Sequence, residues 1–483
     1  MTDGIDIYEK NPWYWQYEGE PVLLLGGSDA DNIYQWAGEP ATLLAHLDTL
    51  AACGGNYIRN TLSQRTMAFP YDDTGAVYPF KKLENGKYDL AQFDEAHWDR
   101  LRFFLDETKK RGIFVQQELW DKWAVCVGDA WSASPWNPAN NVNYPADSPT
   151  FVNTEVRPQN YQPQTPAEVA HRLFAVVPEL NNDARILGYQ NRYIEKMLSI
   201  TLAYDHVLYQ LNNESEFPPE VSNYWAAFVH KQAGAGKVHL CDSRRFHPPS
   251  LFGVQFQDVE NPEHVNVWAN PELYTYVDIS QNGGNDGDKH YENLSWYRAQ
   301  QAERGVKPIN HTKTYLFTWT TGNGWKDKEK GTAQQGRERF WRTIFGGAAS
   351  CRHHRAGAKS GCHEWGGLGL TEEGQLQIRS MRALTAEMDI FSTEPHNDLL
   401  SDRGENVAYA MAEPGRQYAV YFTGAGNRKA TLDLSDANGE LALKWLDIAK
   451  SVWQDAAQVE GGDKRELAAP GEGQWVAWLD GRG

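Results

Sequence analysis

The chain has 483 residues, a formal net charge of −18, 41% hydrophobic and 23% charged residues. That length exceeds one average domain. The acidic balance argues against nucleic acid and anionic membranes as partners, since a phosphate backbone calls for a basic footprint, and no run of about 18 apolar residues is present to span a bilayer.

The opening residues, MTDGIDIYEKNPWYW, carry neither a basic n-region nor an apolar h-region. A cytoplasmic location is therefore expected, or a periplasmic or secreted one if a leader has been removed. Short apolar, β-rich runs follow in order: VLLLGGS (22–28), GNYIRNTLS (55–63), GIFVQQELW (112–120), VLYQLNNE (207–214), KVHLCDS (237–243), YTYVDISQ (274–281), KPINHTKTYLF (307–317) and GGAASCRHH (346–354). Helical patterns alternate with them. FDEAHWDRLRFFLDETKKRG (93–112) places apolar residues at helical spacing and stops at Lys-Lys-Arg-Gly, and 191–205 and 336–346 read the same way. Eight strands alternating with helices predict an α/β fold of the (β/α)8 TIM-barrel kind over residues 1–398. Beyond about residue 400 the helical period is lost. NVAYAMAEP, QYAVYFTGAG, KATLDLS, LALKWLDI and QWVAWLDG are short strands between Gly, Asn and Asp turns, which predicts a small all-β sandwich over 399–483 packed on the barrel. Only 451–458 retains a helical look.

Cysteines stand at 53, 126, 241, 351 and 362, with no CxxC pair and no zinc spacing. They read as free, mostly buried thiols, a Cys351–Cys362 disulfide being the alternative. No cofactor and no metal is expected. The 19 Trp and 23 Tyr have two readings: a large core, or flat faces for sugar rings.

The fourth run ends in Asn212-Asn213-Glu214-Ser215-Glu216. In an eight-fold barrel the carboxyl ends of the strands carry the chemistry. Glu214 is then a candidate general acid, since a partly desolvated carboxyl holds its proton near neutrality, and Asn213 beside it can bond a substrate hydroxyl. The plainer reading makes the same residues a helix start, with Asn213 or Ser215 as cap.

An Asn-Glu ending the fourth strand, with Arg59 in NYIRN on the second, resembles the large retaining-glycosidase clan of TIM barrels. The likeness is closer to the apiosidase-like glycoside hydrolases and extends over nearly the whole chain. PVLLLGGSDADNIYQW resembles their opening strand, GIFVQQELWDKW their third with its Asp-Lys-Trp, and GLTEEGQLQIRSMRAL their last barrel helix. The C-terminal strands resemble their sandwich. The resemblance implies Glu214 as acid/base. It also implies a nucleophilic Glu ending strand seven, and there this sequence departs: the matching position is Lys313, and no carboxylate lies between His311 and Trp325. Three carboxylates are candidates to replace it: Glu364 in the Gly-rich GCHEWGGLGL, Glu118 near the end of strand three, and Asp278, pointing inward but deeper. Each is also readable as the structural partner of a barrel cation. Glu364, on a loop, suits an inverting enzyme, whose two carboxyls stand about 6.5–9.5 Å apart with water between.

His311, Lys313, Arg352, His353, His354 and Arg355 fall at the ends of strands seven and eight. They either neutralise the site's own acids or bind an anionic sugar, a uronate or sulfated residue, by charge-assisted hydrogen bonds. The expectation is a glycoside hydrolase acting from the non-reducing end of a plant or algal oligo- or polysaccharide, with Glu214 and Glu364 catalytic. Arg59, Glu118, Asp121, Trp123, Asn213, Asp278, His311, Lys313, Trp319, Arg352, His353 and Trp365 are the expected substrate-binding residues, the three Trp as stacking platforms. The rival readings are a polysaccharide lyase, with Lys313 and His311 or Tyr315 serving the C5 proton and the uronate, and a non-catalytic sugar-binding protein. The oligomeric state is left open.

Overall fold

The computed structural model describes residues 4–28, 33–34, 40–62, 77–121, 130–145, 147–152, 172–215, 217–244, 256–315, 332–354, 370–455 and 457–481. Strands and helices alternate in the order β1 Leu24–Ser28, α1 Pro40–Ala52, β2 Tyr57–Thr61, α2 Glu95–Lys110, β3 Phe114–Asp121, α3 Ala184–Thr201, β4 Val207–Ser215, α4 Pro219–Ala233, β5 Leu240–Arg244, α5 Pro262–Ala269, β6 Val277–Asp278, α6 Gly287–Arg304, β7 Ile309–Asn310, β8 Thr314–Tyr315, α7 Ala333–Phe345, β9 Ser350–His354 and α8 Glu372–Glu387. All eight expected runs contain strand.

The helices start and stop where local chemistry directs. The Asp94 carboxylate accepts from Ala96 N at the start of α2, and that helix ends at Arg111 before Gly112, whose φ of 65° suits glycine. Thr332 and Gln335 form a capping box on α7. α4 opens on Pro218 and Pro219 with no side-chain cap, while β4 runs through Ser215. The capping reading of Asn213 and Ser215 is thereby excluded.

One parallel ladder runs β5-β4-β3-β2-β1-β9-β8, and β6 pairs with β7 separately. At β1 the chain comes very close to β2: a methyl group at Gly26 would run into the Tyr57 carbonyl oxygen. Among the described residues the ladders do not close the barrel that the sequence predicts, and the fold is TIM-like rather than a continuous ring. A few backbone bonds span the two breaks: Thr275 N and Tyr276 N donate to Leu240 O at 3.0 and 3.4 Å, Ala349 N donates to Ile309 O at 2.8 Å, and Arg352 N donates to His311 O at 3.0 Å. The seventh run is split for a specific reason. His311 N donates to the Ser350 hydroxyl (3.1 Å) rather than to a strand carbonyl, so regular pairing stops after Asn310 and resumes at Thr314.

The antiparallel pairing of the C-terminal part begins at Glu394, opposite Ala412. Strands β10 Ala408–Glu413, β11 Gln417–Phe422, β12 Lys429–Asp433, β13 Glu440–Asp447, β14 Lys464–Ala468 and β15 Trp475–Asp480 form two sheets, with β10-β11-β15-β13 in one and β12-β14 in the other. Ala408, Ala410, Val420 and Phe422 face Leu432 and Leu467 of the second sheet. The opposite parity, Tyr409, Met411, Tyr421 and Trp478, joins the core of the helical part, and Tyr421 stacks on Trp341 of α7 at 5.4 Å. Burial on both faces explains why these strands read as continuous apolar runs. The described residues within 451–458 are not helical; Val452–Trp453 and the stretch from Ala457 pair with β13.

Cys53, Cys241 and Cys351 are free and buried. The alternative disulfide at Cys351 is not formed; its sulfur lies 3.2 Å from the Thr314 hydroxyl. Ten of the 19 Trp (13, 15, 98, 120, 131, 136, 225, 341, 475 and 478) are buried, so the core reading accounts for at least half of them. Among the described residues no helix is long and apolar enough to cross a membrane.

Candidate functional site

Inside the parallel sheet a neutral layer lies deepest. Asn310 Nδ2 donates to Tyr57 OH and to Gln116 Oε1, each at 3.1 Å, and Trp15 Nε1 donates to Asn310 Oδ1 at 2.9 Å. Gln116 also bonds Gln210 through its Nε2, and that nitrogen reaches Asp278 Oδ2 at 2.9 Å. Asp278 collects two more donors, Thr312 Oγ1 at 2.7 Å and Ser280 N at 2.8 Å. Its three bonds tie β3, β6 and the chain after β7 together, a structural task for a residue expected at the substrate. The sequence reading passed over Gln116, Gln210 and Asn310. The signal was available: long amides inside buried apolar runs must find partners.

Toward the carboxyl ends the chemistry changes from neutral to charged. Arg59 on β2 pairs with Gln116 of β3, and Glu118, two residues further along β3, meets the Arg59 side chain in a fork, Nε to Oε1 at 2.6 Å and Nη2 to Oε2 at 2.9 Å, both fully buried. Burial pushes the Glu118 carboxyl up to about 7, against the opposing pull of Arg59 and, more weakly, of Lys313.

Beyond Glu118 both β3 and β4 change phase. The pairing passes from Glu118–Gln210 to Trp120–Asn212 and Asp121–Asn213. Trp120 turns to the helices, packing on Tyr193 of α3 and Trp225 of α4. Asn212 likewise turns to Ser222 of α4 and Asp242 of β5, each at 3.2 Å. Asp121 and Asn213, three residues after Glu118 and Gln210, come back to the interior, where strict two-residue alternation would not put them. Asn213 Nδ2 donates to Asp121 Oδ1 at 3.0 Å, and Lys313 Nζ donates to Asn213 Oδ1 at 2.9 Å. All three are nearly inaccessible, at 4%, 3% and 3% exposure. Asp121 also lines a cavity of about 30 Å³ walled by Leu62, Tyr78, Trp120 and Trp136, enough for a water or two.

The structure thus brings Arg59, Glu118, Asp121, Asn213 and Lys313 together. Glu214 follows Asn213 in β4, placed by its backbone; its side chain lies outside the described residues, as do Glu364, Trp123, Trp319, Trp365 and Arg355. The expected cationic cluster separates into three groups. Lys313 enters the mouth. Arg352 is turned onto the protein's own oxygens, Thr312 O at 3.0 Å, Ser28 O at 3.2 Å and the Ser28 hydroxyl, and it also donates to His354 Nδ1 at 3.1 Å. It staples β1, β9 and the segment before β8 at the rim. His311 and His353, expected at the substrate, point the other way, toward the helices. His311 packs on His290 of α6 with ring centres 5.7 Å apart, and His353 stacks on Phe340 of α7 at 4.5 Å. Burial holds both imidazoles neutral, lowered to about 4 and about 3. Alternation explains His353, the odd neighbour of Arg352 and His354; the break after Asn310 explains why His311 and Lys313 do not share a face. Among the described residues no group of His, Cys, Asp or Glu is arranged to hold a metal ion.

Residues 66–236 match a family model described as a domain of unknown function (DUF6298). No curated protein matches the chain by sequence. Among solved structures, the chain is similar to a glycoside hydrolase family 5 protein from Bacteroides vulgatus ATCC 8482, with a TM-score of 0.63 and 11% identity over 99% of this chain and 94% of the other. A second protein, described as a glycoside hydrolase, gives 0.62 and 11% over 100% and 97%. A maltogenic alpha-amylase from Thermotoga neapolitana gives 0.54 and 10% over 95% and 98%. At these identities the likeness is one of fold: a TIM-like parallel sheet followed by antiparallel sheets.

Proposed function

We propose that the protein is a glycoside hydrolase working at the carboxyl ends of its parallel strands. Glu214 protonates the leaving oxygen, and Glu364 serves as base toward water, giving inversion. The observation that carries this reading is the convergence of Arg59, Glu118, Asp121, Asn213 and Lys313 on that end of the sheet, beside the backbone position of Glu214. Burying so many charged groups in one place is costly, and functional sites are where such arrangements concentrate. The shared fold with glycoside hydrolases and the sequence likeness to the apiosidase-like enzymes support the same reading, with action from the chain end.

Lys313, where a strand-seven carboxylate is expected from the resemblance, favours an anionic sugar, a uronate or sulfated residue. A substrate carboxylate or sulfate would accept from its ammonium and be oriented for Glu214. A panel of defined oligosaccharides and 4-nitrophenyl glycosides, with products identified by mass and anomeric configuration, tests the activity. Glu214→Gln should lower the rate by roughly 10²–10⁴; a variant near the wild-type rate would refute the assignment. A product absorbing in the ultraviolet would mean elimination instead of hydrolysis. Lys313→Ala should weaken binding of an acidic sugar by on the order of 10²-fold and barely touch its neutral counterpart. An equal loss for both would leave Lys313 no part in charge selection.

A further inference from the structure

The Asn213 amide is held from both ends by groups of opposite charge. Its NH2 donates to the Asp121 carboxylate at 3.0 Å, and its carbonyl oxygen accepts from the Lys313 ammonium at 2.9 Å. Turning the amide over would set oxygen against carboxylate and NH2 against ammonium, two repulsive contacts in a nearly inaccessible place. A carboxylate or an ammonium alone would leave one end loose; the pair admits one orientation. The two holders come from different strands, β3 and the segment between β7 and β8. The Asp121 contact exists because β3 and β4 change phase together after Glu118 and Gln210.

We infer that Asp121 and Lys313 are positioning residues that lock the Asn213 side chain, and with it the direction of the amide's second N–H, next to Glu214. That N–H then meets an acceptor on the substrate, a sugar hydroxyl oxygen or a carboxylate, and never a donor. The role in catalysis rests on the glycoside hydrolase reading; the lock itself does not.

Two measurements on the full chain separate them. In protein labelled with 15N at asparagine, the Asn213 NH2 pair is identified by its loss in Asn213→Ala. In the wild type its two protons should be well separated in shift, one of them slow to exchange. Asp121→Asn and Lys313→Met should each collapse that difference while the other asparagine signals stay in place, and Lys313→Arg should restore it. An Asn213 pair unmoved by both substitutions overturns the lock, whatever the activity. The second measurement uses the 4-nitrophenyl glycoside or oligosaccharide that the wild type turns over fastest, taken for Lys313 as its neutral counterpart, on which no bond from Lys313 to a substrate anion enters. Asp121→Asn and Lys313→Met should each lower kcat by roughly 10²-fold, the scale of a misplaced contact, with a smaller change in KM. In an Asn213→Ala background neither should cost anything further. Losses that add in full to that of Asn213→Ala would show that the two residues act on substrate directly and overturn the positioning role. A wild type that turns over none of these substrates counts against the hydrolase reading, while the amide signals still decide the lock.

Discussion

Two polar layers lie inside the same parallel sheet, and they are built from different chemistry. The deep layer, Tyr57, Gln116, Gln210, Asn310, Thr312 and Asp278, is mostly neutral and ties strands to one another through bonds that need no substrate. The layer at the carboxyl ends, Arg59, Glu118, Asp121, Asn213 and Lys313, is mostly charged and equally buried. Amides satisfy one another cheaply, so the deep layer can be explained by packing alone. Buried ions are costly even when paired, and replacing such pairs by apolar groups is often neutral or stabilising. A fold needing only stability would extend the amide layer upward. The change to charge where strands end and Glu214 follows is what stability does not explain.

The comparison predicts unequal effects. Arg59→Met should be the largest, since it leaves Glu118 buried without its fork, and removal of one partner of a buried pair typically costs about 3–5 kcal/mol. The cost should depend on pH. The folded-state Glu118 carboxyl is raised from 4.5 to about 7, so between those values the native protein keeps a proton that the unfolded chain has lost. That group's contribution is best at acid pH and falls as pH rises through about 7. Without Arg59 the carboxyl loses its main counter-charge and rises further, so the variant should lose more stability at about pH 8 than at about pH 5. Urea unfolding of wild type and variant at the two pH values checks this. A deficit that is the same at both would mean that Glu118 does not change ionisation across the interval.

Asp278→Asn should come next and behave differently. The substitution keeps shape and puts an NH2 where one of three donors pointed, a loss of about 1–3 kcal/mol for an unsatisfied buried group. Because Asp278 binds Gln116, Thr312 and Ser280, its folded fraction should keep the wild-type kcat and KM on any substrate the protein turns over. A large fall in kcat with stability intact would move Asp278 from the deep layer into the site and blur the division between them.

How much of this was legible follows the range over which each signal acts. The eight strand runs, the start and stop of α2 and the change to antiparallel strands depend on residues near in sequence, and they read correctly. Glu118 and Asn213 are locally conspicuous, a carboxylate and an amide ending apolar runs, whereas Arg59, Asp121 and the interest of position 313 come from the resemblance to the glycosidase families. What was not legible depends on distant partners. The break at His311 needs the hydroxyl of Ser350. The return of Asp121 to the interior needs a matching phase change in β4, about ninety residues away. Arg352 looked like a ligand for a substrate anion because the acceptor that meets it, Ser28, belongs to the first strand. Alternation alone turns His353 away from Arg352 and His354, so that part of the cluster depends only on neighbours in sequence.

His353 is also the smallest and most selective test. Its ring stacks on Phe340 at 16°, and neither ring nitrogen has a hydrogen-bond partner among the described residues. Replacing such a group by an apolar one of similar shape is nearly neutral or better. His353→Phe should therefore leave kcat and KM unchanged on any substrate, as expected for a side chain on the helix side of the sheet. Its effect on stability should depend on pH, with a sign opposite to that of Glu118. Burial lowers the imidazole from 6.5 to about 3, so across that interval the unfolded chain binds a proton that the native protein refuses. Wild-type stability is then lost as pH falls from about 6.5 toward 3, and phenylalanine has no such loss. Whatever the larger ring costs in packing is the same at every pH. The stability difference, variant minus wild type, should move in the variant's favour between about pH 7 and pH 4.5, read from urea midpoints at the two values. A difference independent of pH would mean that the ring titrates alike in folded and unfolded chains. A loss of turnover at neutral pH would return His353 to the mouth beside Lys313.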